Sequence, residues 1–147
     1  MAVQEFLHSI ENVTLLVGGV ALTALAPGND AIIVTYKSPL FTDVAGCDGN
    51  AVASRIVDNR ADVKVKLLQT SPSNEYLSEI VLSVLAGVYV PTPFLLRDVG
   101  GTTLYTAPNV YVSERPAVSY GAEQNIREWT FSALQMRSFI GGGRVIS

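Results

Sequence analysis

The chain has 147 residues, enough for one domain with length left over for an extended arm. Only 16% of the residues are charged, against about 25% in ordinary soluble domains, while the apolar share of 48% is unexceptional. The formal charge of −3 argues against a groove that grips nucleic-acid phosphates. The single Cys excludes an internal disulfide framework or a multi-Cys zinc site, and the single His excludes a two-His metal site. So little charge leaves a lone subunit poorly wetted, and implies that much of its surface is covered by other subunits.

In chain order, Asn12 to Val17 is β-branched and apolar and reads as a strand. Gly18-Gly19 is a turn signal, so Val20 to Leu25 is expected to return as a second strand. The longest apolar run, Val13 to Ala26, is interrupted by Thr14, Gly18, Gly19 and Thr23 and is too short to cross a bilayer. No basic region opens the chain and Glu5 stands where one is needed, so no secretory signal is expected. Pro27 to Asp30 is a loop by composition, and Ala31 to Tyr36 is a short, dense strand. From Lys37 to Arg60 the pattern changes. Asp48-Gly49 suits a tight turn, and its flanks mix small, polar and apolar residues without clean alternation. This stretch is read as a long hairpin arm rather than a disordered loop, because the flanks still hold Leu40, Phe41, Val44, Val52, Ile56 and Val57.

Asp62 to Gln69 alternates most clearly, with Val63, Val65 and Leu67 on one face and Lys64 and Lys66 on the other. The two lysines are expected to pair with acidic residues of neighbouring copies. One helix follows, about Pro72 to Ala86. Ser71 can cap it, Pro72 suits its first position, and Gly87 its end. Leu77, Ile80, Val81, Val84 and Leu85 form a continuous stripe that is expected to close one side of a β core. Phe94 to Val99, Thr102 to Thr106 and Asn109 to Val112 read as strands separated by Gly100-Gly101 and short loops. Gln124 to Met136 reads as the last long strand, with Trp129, Phe131 and Ala133 inward and Glu128, Thr130 and Ser132 outward. Residues 144–147 read as a flexible tail. The whole is one mainly β domain, a β-sandwich or small barrel.

The residues that carry chemistry do not assemble into a site. His8 lies near an end, where chains fray, and reads as structural. Cys47 has an aspartate beside it rather than a base or a cation, so its thiol reads as unreactive. Asp43, Asp48 and Asp58 do not match the spacing of a calcium loop. The Gly-rich spots lack the Lys-Ser or Lys-Thr of a phosphate loop. Trp129 and the six tyrosines lack basic neighbours and read as core or interface. No catalytic, cofactor-binding or metal-binding residue is assigned, no cofactor is expected, and the chain is not read as an enzyme. A ligand-binding β-barrel is the other class considered; it would run as a monomer around an apolar cavity.

The order of several motifs resembles the tail tube proteins of contractile-tailed bacteriophages. They are Val13-Thr-Leu-Leu-Val-Gly-Gly19, Gly46-Cys-Asp-Gly49, Ser54-Arg55, Asp58-Asn-Arg60 and Leu67-Leu-Gln-Thr-Ser-Pro-Ser-Asn74 with Leu77-Ser78. Further along come Arg97-Asp98, Gly100-Gly-Thr-Thr103, Asn125-Ile-Arg-Glu-Trp129 and Phe139-Ile-Gly-Gly142. Asn50 departs from the pattern, standing where an acidic residue is expected. The resemblance implies a β-sandwich or half-barrel subunit with a flanking helix. Such subunits form six-membered rings whose inner sheets join into one barrel. The rings stack into a hollow tube inside a contractile sheath, and genome DNA passes through the bore without specific binding. A tube initiator or terminator, or the tube of a bacteriocin or type VI-like device, resembles it too. On this reading the protein belongs to the virion tail, is assembled in the host cytoplasm and has no membrane partner. Asp43, Asp48, Arg55, Asp58 and Arg60 are then the candidate inter-subunit contacts, and carboxylates are expected to outnumber cations in the bore. Deleting residues Leu40 to Arg55 is expected to leave a folded subunit that cannot polymerise; tubes of normal length in sedimentation would refute this.

Overall fold

The computed structural model describes residues 6–7, 13–142 and 144–145. Among these residues the fold is mainly strand with one helix, and its strands form two principal sheets that do not close into a barrel. The first is four-stranded: β4 (Ile32–Tyr36), β7 (Ala61–Leu68), β10 (Val110–Glu114) and β11 (Ile126–Ala133) in the order β10-β11-β7-β4. Its centre is the alternating segment. Ala61, Val63, Val65 and Leu67 of β7 are fully buried, and Lys64 is exposed. Antiparallel pairing sets Ala133, Phe131, Trp129 and Arg127 of β11 directly opposite them, so one face of both strands builds the core.

The second sheet is five-stranded, in the order β12-β9-β8-β2-β3. It comprises β2 (Val13–Val17), β3 (Val20–Ala21), β8 (Phe94–Asp98), β9 (Leu104–Ala107) and β12 (Arg137–Phe139). Leu15, Val17, Phe94 and Ala107 from this sheet share one apolar cluster with β7, β10 and β11.

Two strands are shorter than their composition predicts, because the chain changes sheet at both places. The strand expected over Val20 to Leu25 ends at Ala21. Ala24 takes a left-handed conformation (φ 56°), and Leu25 bridges to Leu67 in the other sheet. The strand expected over Gln124 to Met136 stops at Ala133 and resumes as β12 in the five-stranded sheet. At that corner the Met136 side chain is buried and its N–H donates to the Asn59 carbonyl at 2.9 Å. Strand-forming composition alone does not reveal such a bend. Thr130 and Ser132 are also buried rather than wet. The Ser132 hydroxyl donates to Asp62 Oδ1 at 3.0 Å, and that of Ser113 donates to the Thr130 carbonyl at 3.2 Å.

The helix α1 (Ser73–Leu85) starts as read. Ser71 Oγ accepts from the Ser73 N–H at 3.3 Å and donates to the Thr23 carbonyl at 2.7 Å, while Pro72 already has helical angles (φ −66°, ψ −19°). Gly87, at φ 86°, lets its own N–H reach Val84 O and the Val88 N–H reach Ser83 O, which closes the last turn. The helix ties the two sheets together. Trp129 Nε1 donates to Asn74 Oδ1 at 2.9 Å in one direction, and Tyr76 Oη donates to the Val17 carbonyl at 3.0 Å in the other. The apolar stripe is buried only in its first half. Leu77 is fully covered and Ile80 and Val81 partly, but Val84 and Leu85 are exposed, contrary to the expectation that the whole stripe seals the core.

Residues 37–60 form the expected hairpin. β5 (Phe41–Ala45) and β6 (Ala51–Arg55) pair with each other and, among the described residues, with no other strand, and all ten of their residues are exposed. Arg144–Val145, expected to begin a free tail, pairs as β13 with β1 (Phe6–Leu7).

The turn between β2 and β3 generates a prediction. Gly18 and Gly19 both sit at positive φ (63° and 82°), but only at Gly18 does an added Cβ come within 2.5 Å of the Tyr76 hydroxyl. Gly19→Ala is expected to cost about 1 kcal/mol from the left-handed backbone alone. Gly18→Ala also displaces the Tyr76–Val17 hydrogen bond and is expected to cost about 2 to 3 kcal/mol, measured by denaturant unfolding.

Candidate assembly surfaces

The base of the arm is latched by Asp58. Its carboxylate accepts from Arg60 Nε and Nη2, both at 2.9 Å, from the Arg60 backbone N–H at 3.1 Å and from the Ser38 hydroxyl at 2.6 Å. These donors, Arg60 foremost, hold the carboxyl well below the usual carboxylate range. At the tip, Asn50 donates to Asp48 from its backbone N–H (3.2 Å) and from its amide (2.8 Å), which lowers the Asp48 pKa. Asn50 thus braces the turn; an acidic residue there would keep the backbone donor but lose the side-chain one. The five charged residues singled out from the sequence do not gather into one cluster. Asp58 and Arg60 pair at the base within the chain, Asp48 turns back at the tip, and Asp43 and Arg55 stand on one face of the ribbon.

The ribbon has a second, uncharged face that the sequence reading missed. Residues directly opposite in an antiparallel pair share a face. Phe41 and Asp43 therefore stand with Arg55, whereas Thr42 and Val44 stand with Ser54 and Val52. Leu40 and Ile56 extend the second face, since the Ile56 N–H donates to the Leu40 carbonyl at 2.9 Å. The missed signal is the alternation Leu40, Thr42, Val44 against Val52, Ser54, Ile56.

The four-stranded sheet ends at β4 on one side and β10 on the other, with no strand beyond either among the described residues. The Lys66 N–H donates to Ala31 O and the Lys37 N–H to Arg60 O. By alternation, Ile33 and Thr35 face β7, and Ile32, Val34 and Tyr36 turn their backbone groups outward. The face of this sheet away from the core carries Asp62, Lys64, Lys66 and Glu128. Lys66 pairs with Asp30 at 2.7 Å and reaches Glu128 at 4.0 Å, and Lys37 pairs with Asp62 at 3.5 Å. Lys66, expected to reach a neighbouring copy, has these partners within its own chain.

The exposed end of α1, the strap Val88–Thr92 and β10 enclose an apolar groove of about 770 Å³, whose lining includes Ile80, Val84, Leu85, Val88, Tyr89 and Tyr111. A more polar hollow of about 940 Å³ lies beside Asn74, Tyr120, Arg127 and Trp129. There the buried Arg127 guanidinium lies 5.2 Å from the Tyr120 ring and donates to the Ser119 carbonyl at 3.4 Å. Cys47 is exposed, and His8 lies outside the described residues. Among the described residues no group of three or more His, Cys, Asp or Glu is placed to hold a metal, and no helix is long and apolar enough to cross a membrane.

Comparison with known proteins gives these surfaces a context. Residues 6–141 match the family described as bacteriophage PhiTE tail tube protein. A structural protein, ORF10, of Pseudomonas phage KPP10 is 24% identical over 157 aligned positions, covering all of this chain and 89% of the relative. Among solved structures, the tube-terminating cap of the anti-feeding prophage matches with a TM-score of 0.63 at 9% identity, over 95% of this chain and 94% of that one. The sheath–tube complex of the extracellular contractile injection system PVC matches with a TM-score of 0.58 at 11% identity, over 86% and 87%. The sheath/tube terminator of that system matches with 0.58 at 12% identity, over 92% and 99%. These structures share the fold of the chain. The chain belongs to the PhiTE tail tube family.

The latch at the arm base generates a prediction with a definite sign. Asp58 has a lowered folded-state pKa, so its bonds are fully present above the unfolded carboxylate value of about 3.9 and are lost only as pH falls through the lower folded value. A carboxyl-carbon NMR titration is expected to keep Asp58 ionised below that value. Arg60→Met is expected to move its titration upward, towards the ordinary range.

Proposed function

We propose that this chain is the structural subunit of a phage tail tube, closing into six-membered rings that stack into a hollow conduit within a contractile sheath. Genome DNA passes through the bore during ejection. The role is structural rather than catalytic, and the assembled protein resides in the virion tail. Family membership over residues 6–141 supports the tube role, and the likeness to a sheath–tube complex supports a sheath outside it.

The observation that carries the reading is the open four-stranded sheet. Its neighbouring strands are all antiparallel, so β4 and β10 at its two ends run in opposite directions. The β4 edge of one copy can therefore continue antiparallel onto the β10 edge of the next. Repeating that heterologous contact closes a ring and satisfies the outward N–H and C=O groups of Ile32, Val34 and Tyr36. The face bearing Asp62, Lys64, Lys66 and Glu128 suits the bore, because it carries charges of both signs and three of the four are already paired: Asp62 with Lys37, Lys66 with Asp30, and Glu128 with Lys66. On this assignment the bore is balanced rather than acidic, and it offers phosphate neither a basic track nor strong repulsion.

The likeness to a tube-terminating cap and to a sheath/tube terminator favours a second reading, in which the chain caps the tube with a single ring. Negative-stain images of the purified protein separate the two: extended tubes support the tube subunit, and isolated rings the cap. Val34→Pro removes an outward N–H without touching the ladder to β7. It is expected to leave a folded subunit that sediments as a monomer, and rings or tubes formed by this variant would refute the edge contact.

A further inference from the structure

The uncharged face of the arm and the apolar groove beside α1 are complementary in chemistry, and neither is covered within the chain. On the arm, Leu40, Val44 and Val52 are 74%, 70% and 65% exposed. A two-stranded ribbon has no second layer of its own in which to bury such a face. In the groove, Leu85 is 68% exposed, with Val88, Tyr89 and Val90 beside it. The sizes agree. Five strand residues span about 17 Å, and the part of α1 that borders the groove, Tyr76 to Leu85, spans about 15 Å.

The topology says which copy supplies the arm. The arm leaves the sheet after Tyr36, at the β4 edge, whereas the groove borders β10, at the opposite edge. In register, Tyr36 pairs with Ala61, Ala61 with Ala133 and Ala133 with Val110, so the root of the arm and the start of β10 lie at the same level of the sheet. Within one subunit they are three strand spacings apart, about 14 Å. Between subunits whose β4 and β10 edges meet, they are adjacent.

We infer that the arm of one copy lays its uncharged face, Leu40, Val44, Val52 and Ile56, into the groove of the next copy, formed by Ile80, Val84, Leu85 and the Val88–Val90 strap. Asp43 and Arg55, on the opposite face of the ribbon, stay in water, and the docked arm straps across the ring joint. The inference rests on the proposed self-assembly and names its partner surface.

The test places the photo-crosslinking residue benzoylphenylalanine at Val52 in a mixture of ¹⁴N- and ¹⁵N-labelled chains. The mixture is assembled, irradiated, digested and analysed by mass spectrometry. The expected product is a mixed-isotope crosslink from the arm to the peptide spanning residues 80–92. Crosslinks between copies onto any other surface overturn the groove assignment while leaving assembly intact, and crosslinks confined to one chain show that the arm folds onto its own subunit. A wild-type protein that sediments as a monomer at every concentration overturns the assembly reading itself, and this inference with it. Leu85→Glu supplies a second measurement that needs no foreign side chain. Because the site is exposed in the subunit, its thermal midpoint is expected to match the wild type. A buried carboxylate in the assembled groove is expected to cut the sedimenting fraction at least about tenfold. Tubes of normal length from this variant overturn the inference.

Discussion

The constraint on which the rest of this structure depends is the unpaired backbone edge. A sheet of four antiparallel strands has two edges. In this subunit β4 is blunted by neither a proline, a strand-interior lysine nor a covering helix, whereas at β10 the Val110 N–H is already taken by the Thr92 carbonyl at 2.8 Å and the strand bulges between Val112 and Glu114, so only part of that edge is open. A monomer built to stay a monomer does not leave β4 in that state, since an open strand is a template for any other open strand. The edge is tolerable where its intended partner is always at hand, and identical copies at high local concentration meet that condition. The scarcity of charge belongs to the same economy: few groups are present to keep copies apart.

An open edge specifies little by itself, because backbone hydrogen bonds read no sequence. Register has to come from side chains. In the proposed assembly the core supplies rigidity and the arm supplies address. The two sheets are pinned to each other by a shared apolar cluster and by α1, which bonds to Trp129 on one side and to Val17 on the other. That pinning holds the β4 edge, the β10 edge and the groove in fixed relation. The Asp58–Arg60–Ser38 latch then sets the angle at which the arm leaves. In the proposed ring, a one-residue slip at the joint would misalign the outward backbone groups of β4 and shift the arm root relative to the groove, so the docked arm would act as a register pin as well as a strap.

Much of this was legible in the sequence where a single physical preference acted alone. Val63, Val65 and Leu67 alternate because one face of β7 is core, and the helix start at Ser71-Pro72 and its end at Gly87 follow from local hydrogen-bond chemistry. The arm was legible as a departure from both patterns. Legibility failed where two preferences were superposed. Val20 to Leu25 and Gln124 to Met136 each serve two sheets in succession, and composition does not distinguish a straight strand from one that turns a corner inside the core. Thr130 and Ser132 look solvent-facing by type, but their cover comes from Asp62 and Ser113, far away in the chain. The second half of the α1 stripe misled for the opposite reason. Val84 and Leu85 have core chemistry, and periodicity cannot say whether the covering surface belongs to the same molecule. Charge drew attention to Asp43, Asp48, Arg55, Asp58 and Arg60, whereas the arm's unpartnered surface is the alternation that runs between them.

That last mismatch has a physical reading. Charged groups on the arm are satisfied locally or by water: Asp58 by Arg60, Asp48 by Asn50, Asp43 and Arg55 by solvent. They leave little unmet demand for a partner, and exposed ion pairs contribute at most about 1 kcal/mol each. The unmet demand lies in the apolar face and the open edges, and each is small. A few exposed aliphatic side chains and one short strand edge bind weakly in isolation. Rigidly linked on one subunit, they act as a set, since engaging one raises the effective concentration of the next. A wrong partner meets one of them and dissociates, while an identical copy in the right orientation meets all. Weak, separate and rigidly spaced contacts thus reconcile two requirements that a single large apolar patch would set against each other: solubility as a free subunit and stability as a polymer.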